Sequence, residues 1–187
     1  NSISNIAGRI YKEKKQDDRL VVISGRKNII SFLNLLIKGA EKRVAISIWD
    51  EEIKDLNDEL EKAIERGVAL KGIYFGEENP FEMLVSHRRV KRYIAEKKER
   101  YISIIIDGTH TISGIVSRGE NSKVTWTQDE GFIEISEDYI AHDLLVNLYS
   151  ASLDEDGYKL FEEFTDNVHN QFYGYTSEEL GIYKGLR

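Results

Sequence analysis

Four histidines, His87, His110, His142 and His169, are the natural places to look for nucleophilic attack or proton transfer in this chain. Hydrolysis of a phosphodiester by histidine chemistry needs two of them, one as nucleophile and one as general acid, and a lysine to hold the phosphate. None of the four begins a His-x-Lys triplet. His87 begins His-Arg-Arg, and the residue seven further on is Ile94 rather than an aspartate. Asp107 is the next candidate. It sits in Asp107-Gly108 between the apolar runs of YISIIIDGTHTISGIV, and Asp-Gly is the strongest short hairpin signal, so turn geometry competes with any role as a site carboxylate. His110 lies three residues on, on a strand that can face it to the same side. Asp107, His110 and His87 have no spacing that supports a metal site, and no metal or cofactor is expected. With no cysteine, thiol nucleophiles, disulfides and cysteine-based zinc sites are excluded. The sequence offers no catalytic set.

Aromatic residues at strand ends make a better case for binding. Trp49, Tyr74 and Trp126 each fall at the end of a predicted strand, and ligands of open α/β sheets bind beyond the carboxyl ends of strands. These three, with His87, Asp107 and His110, are the expected effector-binding residues. The competing reading is that the large aromatics close the core. The stretch from His87 to Lys98 is rich in arginine and lysine, which fits either an anionic effector or a solvated helical face. His142-Asp143 falls on a late helix, where it would order a contact or lie partly exposed.

The elements that would position these groups follow from periodicity. Apolar strands are predicted over 20–24, 44–49, 68–74, 101–106, 111–118 and 123–128. Helices are predicted over 29–39, with Asn28 as N-cap and Gly39 as stop, and over 51–66, with Asp50 as N-cap and Gly67 as exit. In the second, Ile53, Leu56, Leu60 and Ala63 share one face. Strand–helix–strand–helix–strand at the start predicts a parallel α/β arrangement. Residues 81–98 read as part helix, part loop, and 132–149 as a helix. The tail after Asp154 carries one further helix, 158–169, then Phe172-Tyr173-Gly174-Tyr175. With Phe161 and Phe164 it is too aromatic for a disordered end, so it packs back or meets a second subunit.

The chain of 187 residues suits one domain with an appendage, and 41% hydrophobic residues suffice for a core. A net charge of −7 gives poor bulk electrostatics for a nucleic-acid backbone. No apolar run approaches the ~20 residues of a membrane span, and no signal peptide is visible, so a cytoplasmic protein with no membrane partner is expected. Asn1–Gln16, with Ile3, Ile6 and Ile10, reads as the end of a helix entering from upstream.

Two resemblances join these pieces. The Asp107-Gly108 turn, its flanking strands and Gly114 resemble the second half of the phospholipase-D signature, H-x-K-x-x-x-x-D-G. The positions of its His and Lys are held by Arg100 and Ile102. Five ordered segments resemble the effector-binding domain of TrmB-family transcriptional regulators: Gly25-Arg26-Lys27-Asn28-Ile29; Trp49-Asp50-Glu51-Glu52-Ile53 with Glu65-Arg66-Gly67-Val68; Asp107-Gly108; Val124-Thr125-Trp126-Thr127; and Tyr139-Ile140-Ala141-His142-Asp143-Leu144. The match runs from about Arg19 to Tyr149.

The resemblance implies a phospholipase-D-like α/β fold, a mixed sheet flanked by helices, catalytically degenerate. It divides the chain into the end of a linker helix (1–18), the effector-binding domain (19–153) and a helical, aromatic extension (154–187). It further implies a homodimer that senses a small molecule, a sugar, sugar phosphate or other metabolite. Promoter DNA would be met only through a winged helix-turn-helix outside this chain. The sugar-binding members carry a further β-rich domain where this chain has its short tail, which counts against a sugar. A ligand-free dimerisation scaffold and a divergent phosphodiesterase are the alternatives.

Overall fold

The structure, a computed structural model, describes residues 19–97 and 99–174. The expected linker helix (1–18) and Tyr175 of the aromatic tail lie outside them. The elements are β1 (Val21–Ser24), α1 (Arg26–Lys38), β2 (Arg43–Trp49), α2 (Asp50–Glu65), β3 (Ala69–Phe75), β4 (Leu84–Ser86), α3 (Val90–Lys97), β5 (Tyr101–Ile106), β6 (His110–Ile115), β7 (Lys123–Thr127), α4 (Glu130–Ser152) and α5 (Glu155–Tyr173), with a short 3-10 turn at Gly119–Asn121.

The strands form one mixed sheet in the order β1-β7-β6-β5-β2-β3-β4. β2 runs parallel to β3 and antiparallel to β5, so Val44 lies between Leu70 and Ile106. The parallel pattern predicted for the first three strands holds only from β2 onward. Both edges of β2 are taken, by β3 and β5. β1 goes instead to the open edge of β7, antiparallel, with Val21 opposite Trp126. Gly25, at φ 85°, makes the turn out of β1, and its N–H donates to Ser122 O at 2.9 Å. β4, only three residues long, falls in a stretch that reads as loop and helix.

Alternation assigns each strand residue to a face. On one face, Ile46, Ile48, Ile104 and Ile112 meet α1 and α2. Ile29, Leu33 and Ile37, one helical turn apart, come from α1, and Ile53, Leu56 and Leu60 from α2, all within 1% of complete burial. Each such side chain contributes roughly 1.5–3 kcal/mol by leaving water. The start of α1 differs from expectation. The helix begins at Arg26, and the Asn28 side chain donates back to Ser24 O at 2.9 Å rather than capping the N-terminus. Asp50 is likewise the first residue of α2 and not its N-cap, because its carboxylate is taken by Tyr74 and Lys54.

The other face is covered by α4 and, toward β4, by α3. Ile105 meets Ile133 and Ile140 of α4. Trp49, Ile73 and Phe75 meet Val90, Tyr93 and Leu144. Asp129 caps α4, accepting from Phe132 N at 3.2 Å, and Asp154 caps α5, accepting from Gly157 N at 2.9 Å. Both helices outrun the predicted bounds. Apolar residues lie on most sides of α4, so no single stripe marks its buried face, and Leu145, Leu148 and Tyr149 are left exposed. No helix among the described residues is long and apolar enough to cross a membrane.

Candidate functional site

The six residues expected to bind an effector fall at opposite ends of the sheet. β2 and β3 end at Trp49 and Phe75, and β4 leads directly to His87. β5 runs the other way, so Asp107 lies beside the start of β2, with His110 and Trp126 near it. His87 is therefore far from Asp107 and His110, and no three His, Asp or Glu among the described residues cluster as metal ligands.

At the hairpin end, each group is satisfied internally. Asp107 adopts φ 54°, and its carboxylate accepts from the backbone N–H groups of Glu41, Lys42 and Arg43 at 2.7–2.9 Å. Burial alone would raise this carboxyl; the N–H groups of Arg43, Glu41 and Lys42 outweigh it and hold the pKa below the usual range. Asp107 thus ties the β5–β6 turn to the entry of β2. The Trp126 indole donates to His110 Nδ1 at 3.1 Å, its ring lies over the imidazole, and Phe32 of α1 meets it edge-on.

At the other end, Tyr74 and Trp49 point to opposite faces. The Tyr74 hydroxyl, on the α1–α2 face, donates to Asp50 at 2.7 Å, and burial followed by that carboxylate pushes its pKa up. Trp49 is 2% exposed. Its indole donates to Tyr101 O at 3.0 Å, and its ring stacks on Phe75 with centroids 4.6 Å apart. The stacking surface expected for a ligand is occupied by Phe75. The imidazole of His87 lies on Phe75 as well, at 4.7 Å, and Tyr93 packs against Trp49, Phe75 and His87.

This aromatic box opens on a polar group that sequence reasoning placed elsewhere. His87 Nδ1 accepts from Arg89 N at 3.2 Å, which puts the proton of the neutral ring on Nε2, and Nε2 faces Asp143 Oδ1 of α4 at 3.7 Å. Burial, then the charge of Arg89, pushes His87 down to about 4. Burial pushes Asp143 up to about 6, against the bond from Asn147. Asp143 Oδ2 is buried without a hydrogen-bond partner among the described residues, and so is Ser47 Oγ, two residues before Trp49 on the same face of β2. Such groups cost about 1–3 kcal/mol each. Asn147 completes the cluster by accepting from Arg88 N at 3.0 Å.

Three arginines of the basic stretch, Arg88, Arg89 and Arg92, are engaged within the chain. Arg89 and Arg92 pair with Asp166 of α5, Arg88 lies over the Tyr158 ring at 4.2 Å, and its guanidinium also donates to Ser150 O. A second network escaped the sequence reading. Glu52, fully buried at the start of α2, accepts from Arg26 at 3.2 Å and from Arg100 at 3.1 and 3.2 Å. The signal was present as opposite charges in Gly-Arg-Lys-Asn and Trp-Asp-Glu-Glu, the two segments the pair joins. Arg66 serves similarly, donating to Ile37 O and Lys38 O in the last turn of α1 and to Ala40 O just beyond it.

A seven-stranded mixed sheet with helices on both faces and an Asp-Gly hairpin beside its central strand defines the class: the fold is phospholipase-D-like α/β. NucT from Helicobacter pylori shares it, with TM-score 0.51 and 16% identity over 67% of this chain and 95% of that one. TrmBL2, an archaeal chromatin protein, superposes with TM-score 0.50 and 17% identity over 75% of this chain and 57% of that one. Residues 19–152 match the family model described as transcriptional regulator TrmB, EBD N-terminal subdomain, and the chain belongs to the TrmB family. The uncharacterized protein YrhO of Bacillus subtilis (strain 168) is 31% identical over 123 residues, 65% of this chain and 45% of YrhO. The chain thus spans less than half the length of that curated relative.

Proposed function

We propose that this chain is the sensing and dimerising part of a TrmB-type transcriptional regulator, that it is cytoplasmic, and that it carries no hydrolase activity. Family membership supports the regulatory role. TrmBL2 is a chromatin protein with a novel mode of DNA binding, which supports DNA as the eventual target of the whole regulator. Arg100 and Ile102 at the positions of the signature His and Lys support loss of catalysis. The division at residues 18 and 153 follows the same reading.

The observation that carries the sensing role is Asp143. A carboxylate oxygen buried without a partner, beside a neutral imidazole at the edge of an aromatic box, supports a contact there for a small molecule with hydroxyl or amino donors. Binding there would press on α4, which spans the sheet face from β6 to β3, and shift how two subunits are held. A thermal-shift screen against sugars, sugar phosphates, nucleotides and amino compounds tests this. A ligand that raises the Tm of the wild-type chain should lose its effect in Asp143→Asn. Binding unaffected by that change moves the site elsewhere. The ligand-free scaffold stays the second reading, favoured by one fact: Trp49 is already stacked and hydrogen-bonded, leaving its ring no free face for a guest.

A further inference from the structure

α5 lies beyond the residues that match the family model and docks on the domain by a side that mixes aromatic and polar residues. Its inward residues are Tyr158, Phe161, Thr165, Asp166 and His169, the last against Arg92. Phe161 meets Tyr149 of α4 at 6.3 Å, Thr165 accepts from Arg89 at 2.8 Å, and Asp166 takes both Arg89 and Arg92. The opposite side carries Leu160, Phe164, Val168 and Phe172, at i, i+4, i+8 and i+12, exposed to 67, 66, 42 and 80%. This is an amphipathic helix whose apolar stripe faces outward, the inverse of a helix completing its own core.

The charges of α5 are as uneven along its axis as around it. Glu155, Asp156, Lys159, Glu162, Glu163 and Asp166 all lie before Asn167, and none follows through Tyr173. A parallel pair of these helices would set Glu162 and Glu163 against their own copies. An antiparallel pair centred on residue 166 brings them level with the uncharged turn Asn167–Asn170, places Phe164 against Val168, and Leu160 against Phe172, while His169 stays turned inward to Arg92. Asp166, on the axis, is turned inward to Arg89 and Arg92 and meets no like charge. The antiparallel arrangement also opposes the two helix dipoles. The stripe is self-complementary under a two-fold axis, the symmetry of an isologous contact, and the antiparallel arrangement keeps the two acidic halves apart.

We propose that two copies of this chain pair through α5, antiparallel and centred on Asp166. The proposal rests on the dimer reading above and assigns its interface. The stripe is small for a stable interface, so the contact is weak and concentration-dependent.

Sedimentation analysis of the 187-residue chain over a concentration series tests it, with Phe164→Glu as the disrupting variant and Leu35→Glu, equally exposed on α1, as control. Phe164→Glu should raise the dimer dissociation constant about a hundredfold or more, since it strikes twice per dimer; Leu35→Glu should not. Because the chain has no cysteine, introduced thiols report geometry without background. A mixture of Leu160→Cys and Phe172→Cys should form the mixed disulfide on oxidation. Leu160→Cys alone should not, because in the antiparallel pair its copy lies about 18 Å away along the axis, well beyond disulfide reach. Self-crosslinking of Leu160→Cys would show a parallel pair and overturn the proposal. A wild-type chain that is monomeric at every concentration overturns both this interface and the dimer reading. A dimer indifferent to Phe164→Glu, with no mixed disulfide, overturns the interface alone. Circular dichroism of each variant shows that the fold is retained, as expected for exposed positions.

Discussion

The His87–Asp143 pair makes a pH prediction whose two halves have opposite sign. His87 falls from 6.5 to about 4 on folding, so between those values the unfolded chain binds the proton better, and stability is lost as pH falls through that window. Asp143 rises from 3.8 to about 6, so in that range the folded chain binds the proton better, and stability is lost as pH rises. In the wild-type protein the contributions oppose each other from about pH 4 to 6, and the pair leaves stability nearly flat there. Asp143→Asn removes the compensating side. At about 1.4 kcal/mol for each pH unit crossed, lowering the pH from 7 to 4.5 leaves this variant about 2 kcal/mol less stable relative to wild type, which gains from protonating Asp143 below about pH 6. His87→Asn gives the mirror image, a relative gain of about 2–3 kcal/mol over the same range, as Asp143 takes up its proton unopposed. Urea denaturation at stepped pH, each variant compared with wild type at the same pH, reads both slopes. Parallel pH profiles for all three proteins would refute the reasoning, because they would mean that burial shifts neither group.

Three further outcomes follow from single contacts. Glu52→Ala leaves Arg26 and Arg100 facing a hole where a fully buried carboxylate stood; it should destabilise by about 3–5 kcal/mol, read as a drop in the urea midpoint. Asp107→Ala strands the three N–H groups of Glu41, Lys42 and Arg43 and imposes φ 54° on alanine. A loss of about 2–4 kcal/mol is expected in the same assay, with less for Asp107→Asn, which tolerates that φ and keeps an acceptor. Gly72→Ala would set a methyl carbon 1.8 Å from Ile46 O at φ 146°, between β2 and β3; the variant should fail to give soluble folded protein, and a normal melting curve would contradict the β2–β3 geometry.

The helices α1 and α2 and the β5–β6 hairpin were legible in the sequence, because helical spacing of Ile29, Leu33 and Ile37 and an Asp-Gly turn are local signals. The place of β1 was not. Val21–Ser24 reads as a strand from its own residues, but its partner is fixed by which sheet edge remains open after β2, β3 and β5 have paired. The candidate site was half legible for the same reason. Trp49, Tyr74 and His87 do gather at one end of the sheet, yet alternation sends Tyr74 to the opposite face. The group that meets His87 comes from α4, across a contact that no spacing announces. Asp107 was singled out by its Asp-Gly pair, and the structure gives that pair its turn and ties its carboxylate to the entry of β2.

The Arg100–Glu52–Arg26 network has a further consequence, for attempts to return hydrolysis to this scaffold. A graft of the two signature residues would put histidine at 100 and lysine at 102. Ile102 is 1% exposed, in the core between the sheet and α1–α2. A lysine there would be stripped of water, which favours its neutral form over the ammonium that holds a phosphate. Histidine at 100 would release Glu52 from one of its two guanidinium partners. Restoring the letters of the motif would therefore unmake the ground they stand on; the core around residue 102 and the first turn of α2 would have to be rebuilt together.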